Sequence, residues 1–439
     1  MNQAVAQIAD AFPISRLLAE IEHVEANGGG VVRGTLPARI DAFTVLSALD
    51  DDAVYWRDDS EEALGLGVAA EFVSSGAGRF HELALAAEAF AVQAYPDDDD
   101  LRFFCGFSFD PAVRSSRWRD FGAARAVLPR VLLQRPNRAS EWAITIPIGD
   151  ESPVASVRPI LLNLGAAESV AARQTREAGR RTSANFMALV RDAKERITLK
   201  HAAKIVAARR VDLELTEAVD VGRVARALDA QNPGCHRFLF RRGGATFVGA
   251  SPERLIRRED DHVSTVALAG SAAPEDAESL LQSLKDHDEH EHVVRHVREA
   301  LRPFCDDVHG SVTPSLRPLN HVVHLETPFD ATLREPVHVL RLAAALHPTP
   351  AVGGVPSQFA TGWIRELEGA DRGWYAGPIG WFNAAGDGEL AVAIRSALLR
   401  GRDVALWSGA GIVAESDPHS ESEEADRKLR PILTALGLS

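Results

Sequence analysis

The sequence LAVAIRSALLRGRDVALWS, residues 390–408, contains two apolar runs separated by a short polar segment. This pattern predicts a strand from Leu390 to Leu399, a tight turn, and a second strand from Val404 to Ser408 that pairs with the first. A helix should follow, because Asp417-Pro418 places a favourable N-cap residue before a proline at the first helical position. We expect this last helix to end near Leu436.

Similar patterns predict further strands and helices along the chain. Apolar runs bounded by turn residues predict strands at 65–72, 103–109, 127–133 and 142–146, and a hairpin at 238–249 that turns at Gly243-Gly244. Helical periodicity is found at 169–207 and at 280–301, where the apolar side would hold Leu281, Leu284, Val293, Val294, Val297 and Leu301. Because strands and helices follow one another irregularly, the sequence predicts an α+β fold with sheets flanked by helices.

The composition argues against several classes of function. The formal net charge is -14, with 46% hydrophobic and 25% charged residues. We therefore expect neither a nucleic-acid nor a membrane partner, since both favour a basic surface. The cysteines, Cys105, Cys235 and Cys305, form no CxxC pair, which disfavours a disulfide framework and favours the cytoplasm. Met1 to Leu18 shows no signal-peptide pattern, and no apolar run approaches the ~20 residues that span a bilayer.

The domain organisation has no visible boundary. A length of 439 residues suggests two or three domains, yet no long Pro-, Ser- or Gly-rich linker occurs. We therefore expect residues 1–439 to form a single domain with two halves, 1–190 and 191–439. The second half holds most of the chemically informative side chains.

Two familiar motifs occur in forms that do not fit their usual context. GxGxxA is found at 65–70 and 409–414, but a dinucleotide fingerprint needs glycines in a turn that leads directly into a helix. The helix at 280–301 carries several histidines, but His290-Glu291 lacks the second histidine of HExxH, which disfavours zinc. The carboxylates of this helix are oxygen ligands, which suit Mg²⁺ better.

Three other features allow both a structural and a chemical interpretation. Glu421, Glu424 and Lys428 share one face of the last helix, either as a solvated acidic first turn or as part of a site. Arg395 interrupts an apolar strand, so it either faces solvent or binds an anion such as a carboxylate. Lys204 begins an apolar run, so it either extends to solvent or serves as a base with a lowered pKa.

A series of segments over about residues 200–439 resembles, in order and spacing, the chorismate-utilising enzymes. This family includes isochorismate, salicylate, anthranilate and aminodeoxychorismate synthases. The segments are KIVAAR at 204–209, FVGASPE at 247–253, LAGSA at 268–272, KDHDEH at 285–290, HLET at 324–327, LHPTPAVGG at 346–354, GWYAGP at 373–378, IR at 394–395, GAGIV at 409–413 and the Glu421/Glu424/Lys428 helix. The resemblance implies an α+β fold with a large two-sheet β core flanked by helices, as in anthranilate synthase component I.

The segments at 346–354 and 268–272 resemble those of isochorismate synthases in particular. The resemblance therefore implies conversion of chorismate to isochorismate, for siderophore or menaquinone biosynthesis. It implies that Lys204 is the general base and Glu253 the general acid. Glu289 and Glu424 would hold a Mg²⁺ cofactor, with Glu421 close by or acting through water. The implied substrate-binding residues are Arg395, Tyr375, Gly409, Ala410, Gly411, Gly270, Ser271, His324, Ala351 and Lys428.

The resemblance leaves other functions open. A salicylate synthase would also eliminate pyruvate, and an anthranilate or aminodeoxychorismate synthase would need ammonia. A non-catalytic chorismate-binding subunit is disfavoured because all the implied acid–base and metal residues are present. The absence of a glutaminase-like segment favours a monomer. His287-Asp288 stands where relatives often have Arg-His, which affects the expected metal affinity rather than the chemistry.

Overall fold

The computed structural model describes residues 14–37, 40–96, 98–137, 139, 141–150, 152–166, 176–182, 185–320 and 322–438. Its helices, α1 to α11 in chain order, are Ile14–Ala26, Ala42–Ala48, Arg79–Ala94, Val154–Ala166, Phe186–Thr198, Val221–Gln231, Ala277–Leu280, Leu284–Leu301, Val339–Leu346, Ser357–Leu367 and Pro418–Ala435. Its strands, β1 to β22, are Gly30–Pro37, Ala53–Arg57, Glu61–Leu66, Ala70–Ser74, Arg102–Phe107, Ala124–Leu128, Val131–Pro136, Glu141–Ile148, Glu177–Thr182, Lys204–Leu215, His236–Arg242, Ala245–Ser251, Arg254–Glu259, His262–Ala272, Cys305–Gly310, Ser315–Pro318, Val323–Leu333, Gly354–Val355, Pro378–Asn383, Gly388–Val392, Ser396–Arg400 and Asp403–Ile412. None of the described helices is both long and apolar enough to cross a membrane.

Two large sheets contain these strands. Over the described residues, one sheet is 12-stranded, in the order β1-β8-β7-β3-β2-β11-β12-β21-β22-β10-β18 with β9 beside β10, and the other is 10-stranded, in the order β15-β17-β14-β13-β20-β19-β5-β6-β4 with β16 beside β17. The N-terminal strands join the C-terminal ones where β2 pairs with β11 and where β5 pairs with β19. The predicted α+β fold with a two-sheet core is therefore confirmed. Because both sheets mix strands from 1–190 and 191–439, we propose that the chain forms a single domain.

The larger apolar core contains side chains from both sheets, so it lies between them. Aromatic residues dominate its centre: the ring of Trp374 is 5.1 Å from the rings of both Phe121 and Phe240. Gly106 makes room for this indole, since a Cβ there would lie 2.0 Å from Trp374 Cζ3. Rings of this size each bury roughly 150–250 Å². Their packing fixes the turn that carries the next residue, Tyr375.

Several sequence predictions agree with the structure. The hairpin at 238–249 is β11 and β12, and the strand pair near the C-terminal end is β21 and β22. Asp417 is the N-cap of α11, where its carboxylate accepts hydrogen bonds from the backbone N–H groups of His419 and Ser420. The strands predicted at 103–109 and 142–146 correspond to β5 and to the centre of β8.

Two predicted strands are wrong because each spans the boundary between the sheets. Residues 65–72 include the end of β3 and the start of β4, which belong to different sheets, with Gly67 at φ 64° between them. Residues 127–133 include parts of β6 and β7, which are likewise in different sheets. In each case the apolar pattern continues through the junction; β3, β6 and the start of β7 are largely buried, as is Ala70 at the start of β4.

Both predicted helical segments are too long. In the first, 169–207, only α5 is helical: β9 precedes it, β10 follows it, and residues 169–175 and 183–184 lie outside the described residues. The second, 280–301, is divided into the end of α7 and all of α8. Leu281 and Leu284 are 43% and 87% exposed, so they do not belong to the apolar side, whereas Val293, Val294, Val297 and Leu301 are buried as predicted.

The predicted strand at 390–399 is also interrupted. β20 ends at Val392 in the 10-stranded sheet, and β21 begins at Ser396 in the 12-stranded sheet. Arg395 lies in the gap between them with a φ of 52°, in the left-handed region that side chains other than glycine rarely adopt. Such strained backbone is concentrated at functional sites, and here it borders a cavity.

Candidate active site

A cavity of about 690 Å³ lies between strands of the two sheets. Its wall brings together most of the residues predicted for the site: Glu253, Gly270, Ser271, Glu289, His324, Ala351, Tyr375, Arg395, Gly409, Ala410, Gly411 and Lys428. Lys204, Glu421 and Glu424 lie outside this wall. The remainder of the wall is Val206, Leu268, Ala269, Val352, Arg372, Ala376, Ile394, Trp407 and Ser408.

Lys204, the predicted base, is the first residue of β10 and is completely buried. This is more burial than a lysine at the edge of a core would have. Its Nζ lies 2.9 Å from Oε1 of Glu289, which lines the cavity. Burial raises the pKa of the Glu289 carboxyl, but the charge and hydrogen bond of Lys204, together with the charges of Lys428 and Lys285, outweigh burial and leave that pKa below its usual value. Lys204 is therefore next to the cavity and in contact with a predicted metal ligand.

Glu253, the predicted acid, lies between β12 and β13 and is 3% exposed. Backbone hydrogen bonds hold it: its N–H donates to Ser251 Oγ at 3.2 Å, and its carbonyl accepts from Val392 N at 3.0 Å. The Thr349 hydroxyl donates to Oε1 of the carboxyl group at 3.5 Å. Burial raises the pKa of Glu253 to about 7, although the nearby charge of Lys204 opposes this shift. The carboxyl group can therefore hold a proton near neutral pH.

Arg395 contributes a cationic group to the cavity wall. Its side chain makes no ion pair with any residue that the structure describes. Its nearest polar side-chain partner is the imidazole of His324, with Nη2 3.4 Å from Nε2. Because His324 Nδ1 lies 3.1 Å from the carbonyl oxygen of Gly270, Nδ1 carries the proton and Nε2 accepts from the guanidinium. A buried guanidinium without an acidic partner is suited to an anionic ligand.

Two ring side chains near Arg395, those of His324 and Tyr375, are uncharged. Burial, and then the charge of Arg395, hold the pKa of His324 well below its usual value, so this imidazole is uncharged. Tyr375 stacks on Trp407 with centroids 6.0 Å apart, and burial raises the pKa of its phenol to about 12. The tyrosine hydroxyl therefore remains protonated and can donate a hydrogen bond.

A group of carboxylates and lysines surrounds the start of α8 and the start of α11. Glu421 accepts a hydrogen bond from Lys285 at 2.8 Å, and Glu424 is paired with Lys428. Burial raises the pKa of Asp286, and the negative charges of Glu289 and Glu424 raise it further. Burial and the charge of Glu424 likewise raise the pKa of Glu421. These carboxylates are close enough to repel one another.

This arrangement fits a hard divalent cation in part. The described residues contain no group of three or more His, Cys, Asp or Glu side chains gathered as a complete metal site. Mg²⁺ does not need such a group, because it commonly uses one or two carboxylates together with water or substrate oxygens. Glu289 and Glu424 supply that oxygen chemistry, and a cation would relieve the repulsion that each of them exerts on Asp286. Each of the three carboxylates contacts a lysine: Glu289 contacts Lys204, Glu421 contacts Lys285 and Glu424 contacts Lys428.

The two GxGxxA segments and the histidines of α8 have structural roles. In the glycine motif at 65–70 the first glycine lies in β3, and the motif at 409–414 begins within β22, so neither forms a turn into a helix. His290 hydrogen bonds to Thr327 Oγ1 at 2.8 Å, and His296 donates to the carbonyl oxygen of Leu346 at 2.8 Å. These histidines are engaged by protein groups.

Several residues at or next to the cavity were not predicted from the sequence. Thr349 lies within a quoted segment, but nothing indicated its contact with Glu253. Arg372 immediately precedes another quoted segment, and its partner Glu368 lies at the end of α10. An arginine and a glutamate four residues apart are a signal in the sequence, but this spacing usually indicates an exposed helical pair.

The fold and the cavity define a class of enzyme that binds a small organic anion beside a buried amine, a buried acid and a cluster of carboxylates. Residues 28–437 match the family model described as "Chorismate binding enzyme". The chain belongs to the chorismate-binding enzyme family, as its sequence segments predicted.

Similar proteins support this assignment. The chain is 35% identical over 431 residues to the "Salicylate biosynthesis isochorismate synthase" of Pseudomonas aeruginosa, covering 91% of this chain and 89% of that protein. It is 32% identical over 411 residues to the "Isochorismate synthase MenF" of Bacillus subtilis, covering 87% of each. The solved structure of MenF, the menaquinone-specific isochorismate synthase from Escherichia coli, superposes with a TM-score of 0.83 at 26% identity, covering 96% of this chain and 99% of that one.

Proposed function

We propose that this chain is an isochorismate synthase that converts chorismate to isochorismate with Mg²⁺. The observation that carries the proposal is a buried amine, Lys204, next to a cavity that is lined by the buried acid Glu253 and by the guanidinium of Arg395, which has no ion pair among the described residues. The names of the relatives agree with this activity.

Binding of the substrate follows from charge. Chorismate carries two carboxylates, so an acidic protein needs a locally positive cavity to bind it. Arg395 and Tyr375, with backbone N–H groups at 409–411, would hold the enolpyruvyl carboxylate. Lys428, His324 and the wall at Gly270, Ser271 and Ala351 would orient the ring. Burial strengthens each of these interactions because the local dielectric is low.

Lys204 acts as the base of the proposed reaction and Glu253 acts as the acid. Lys204 takes a proton from a water molecule as the water oxygen bonds to ring C2. Both ring double bonds shift, from C1=C2 to C1=C6 and from C5=C6 to C4=C5, and the bond from C4 to its hydroxyl group breaks. Glu253 donates its proton to that hydroxyl, which leaves as water, so the ring gains one hydroxyl and loses another. Each group commonly contributes roughly 10²–10⁴ in rate.

Glu289 and Glu424 would hold the Mg²⁺, with Glu421 close by. When bound, the cation would accept charge from the ring carboxylate as the double bonds move. The carboxylates' mutual repulsion and their oxygen chemistry support this role for them.

The assembly and location of the enzyme are also proposals. Since the base, acid and anion-binding side chains all come from this chain, we propose that it acts as a monomer, which light scattering on the purified protein tests. Cys105, Cys235 and Cys305 are free thiols, which supports a reducing cytoplasm.

One assay tests the activity directly. Purified protein is incubated with chorismate, with and without Mg²⁺, and the products are separated by liquid chromatography. We expect isochorismate only when Mg²⁺ is present, with no pyruvate released and no dependence on ammonium. Pyruvate release without an added lyase would instead identify a salicylate synthase. An ammonium requirement would identify an amine-forming synthase, and the absence of any product would identify a binding subunit.

A further inference from the structure

Two ionic side chains at the edge of the cavity have no part in the chemistry proposed above. Glu368 and Arg372 are 2% and 3% exposed. Glu368 is the C-cap of α10, and Arg372 lies just before the turn that carries Tyr375. The guanidinium meets the carboxylate with two groups, Nε at 2.8 Å from Oε2 and Nη2 on Oε1. A bidentate pair of this kind fixes geometry as well as contributing energy.

The remaining contacts of the pair join two separate parts of the chain. Arg372 Nη2 donates to the carbonyl oxygen of Val206 at 2.9 Å, and Nη1 donates to that of Val352 at 2.7 Å. Glu368 Oε1 accepts from the backbone N–H of Ala208 at 2.9 Å. The pair therefore links β10, through Val206 and Ala208, to the loop that contains Val352.

Each linked part positions one of the proton-transfer groups. β10 begins with Lys204, and the loop contains Thr349, whose hydroxyl donates to Glu253. Relying on the function proposed above, we propose that Glu368 and Arg372 are positioning residues that set the separation between Lys204 and Glu253 across the substrate. Neither would touch the reacting atoms.

Two observations favour positioning over other roles. Arg372 lines the cavity, but its charge is paired with Glu368 and its face is covered by the ring of Phe109, 4.4 Å from Cζ, so it is not a free anchor for a carboxylate. A buried ion pair often gives no more stability than apolar side chains of the same volume. The fixed geometry of the Glu368–Arg372 pair therefore says more about its role than its contribution to stability does.

Arg372→Lys tests the proposal, because lysine keeps the charge but loses the planar fork. We expect kcat to fall about 10- to 100-fold, since misplacement by ~1 Å can cost about 10²-fold in rate, while KM changes less than about threefold. The alkaline limb of the kcat–pH profile should move to higher pH, because the Thr349 hydrogen bond lowers the pKa of Glu253.

Arg135→Lys is the matched control. Arg135 also donates to a buried glutamate, Glu62 at 2.7 Å, and also stacks on an aromatic ring, 4.2 Å from that of Trp142, but it is remote from the cavity lining. It should lose comparable stability in thermal unfolding while kcat and the pH profile stay unchanged. An equal loss of kcat in both variants would show a general effect of stability and overturn the proposal, as would wild-type kcat in Arg372→Lys.

Further measurements separate this proposal from the function on which it rests. If the wild-type protein does not turn over chorismate, the proposed function fails. Crystal structures of wild type and Arg372→Lys then still test the positioning role: the distance from Lys204 Nζ to the Glu253 carboxyl should change by roughly 0.5–1 Å. An unchanged distance overturns it. If Arg372→Lys does not fold, Glu368→Gln, which keeps an acceptor for Ala208, replaces it in every measurement with the same expected outcomes.

Discussion

Lys204 Nζ lies 2.9 Å from Glu289 Oε1, so the proposed base and a proposed metal ligand are direct neighbours. The lysine is completely buried, and the glutamate lines the cavity. This contact gives Lys204 a second effect besides its proposed proton transfer, since its charge helps to lower the pKa of the buried Glu289. Any substitution at Lys204 must therefore separate the loss of a base from the loss of a charge.

Lys204→Arg makes that separation. Arginine preserves a positive partner for Glu289, but a guanidinium stays protonated at any accessible pH and cannot act as a base. We expect turnover of chorismate to fall by about 10³-fold, with Mg²⁺ binding largely retained. The control is Lys194→Arg on α5, whose side chain donates to the carbonyl oxygen of Ser416 away from the cavity. Steady-state kinetics and calorimetric Mg²⁺ titration measure both properties, and wild-type turnover in Lys204→Arg would rule out its role as base.

The pH dependence of the activity should report Glu253. Its carboxyl must be protonated to serve as the acid, and its pKa is about 7. We expect kcat/KM to decline as the pH rises above about 7. Glu253→Gln keeps the shape of the side chain but has no proton to give, so its residual rate should lack this limb. A wild-type profile that rises steadily to pH 9 would contradict the assignment.

The pH dependence of the free energy of unfolding should report the pKa of Glu253 independently of turnover. The pKa of Glu253 rises from 4.5 to about 7 on folding, so its contribution is fully present below pH 4.5 and is lost as the pH rises through 7. The wild-type free energy of unfolding should fall by about 3 kcal/mol more than that of Glu253→Gln over this interval. Urea unfolding of both proteins at pH 4.5, 6 and 8 measures the difference, and parallel pH curves would refute the raised pKa.

The carboxylate on α11 can be tested by Mg²⁺ binding alone. In Glu424→Gln one proposed ligand loses its charge, and we expect the affinity for Mg²⁺ to fall at least about tenfold by calorimetry. Asp426→Asn is the control, because Asp426 lies on the same helix, is 65% exposed and pairs with Arg209. Glu421→Gln should have a smaller effect than Glu424→Gln, since we propose that Glu421 lies close to the cation or acts through water, whereas Glu424 binds it directly. Equal affinities in all three variants would remove Glu424 from the site.

The sequence predicted the class of fold and most of the residues that line the cavity, but not the buried contacts of Arg372 and Thr349. The ordered segments identified Glu253, Arg395 and Glu289 because each lies in a short run with a recognisable pattern. The division of 65–72 and 390–399 between two sheets was not predictable from periodicity, since buried strands on either side of a bend are equally apolar. The bend depends on how the sheets separate, which is a tertiary property.

The contacts of Arg372 and Thr349 were not predictable from the sequence for a related reason. Arg372 reaches the carbonyl oxygens of Val206 and Val352, which are far from it in sequence and carry no side-chain signal. Thr349 contacts Glu253 across 96 positions of the chain. Local spacing can nominate a charged residue, but it cannot say which backbone groups the fold will bring to it.

The glycines of the GAGIV segment should differ sharply in what they contribute. A Cβ on Gly411 would lie 2.4 Å from Glu289 Oε1 and 3.0 Å from Lys204 Cε, so Gly411→Ala must displace these side chains. Both atoms are at the ends of flexible chains, and the fold can accommodate the shift. A Cβ on Gly409 would instead lie 2.3 Å from the backbone oxygen of Ala207, which the paired strands β10 and β22 hold in place.

We therefore expect Gly411→Ala to keep a melting temperature within a few degrees of wild type while kcat falls about 10²-fold, since displacement of a proton-transfer group by ~1 Å has an effect of that size. Gly409→Ala should lower the melting temperature markedly, because strand backbone must move. Gly362→Ala is the control: a Cβ there meets nothing within 4 Å, and alanine is the better helix former in α10, so activity should be unchanged and stability equal or higher by up to about 1 kcal/mol. Thermal unfolding and steady-state kinetics on the three variants measure both effects. If Gly411→Ala retained full activity, the close contact of Lys204 and Glu289 would not matter for turnover, and the site would have to operate with those two side chains apart.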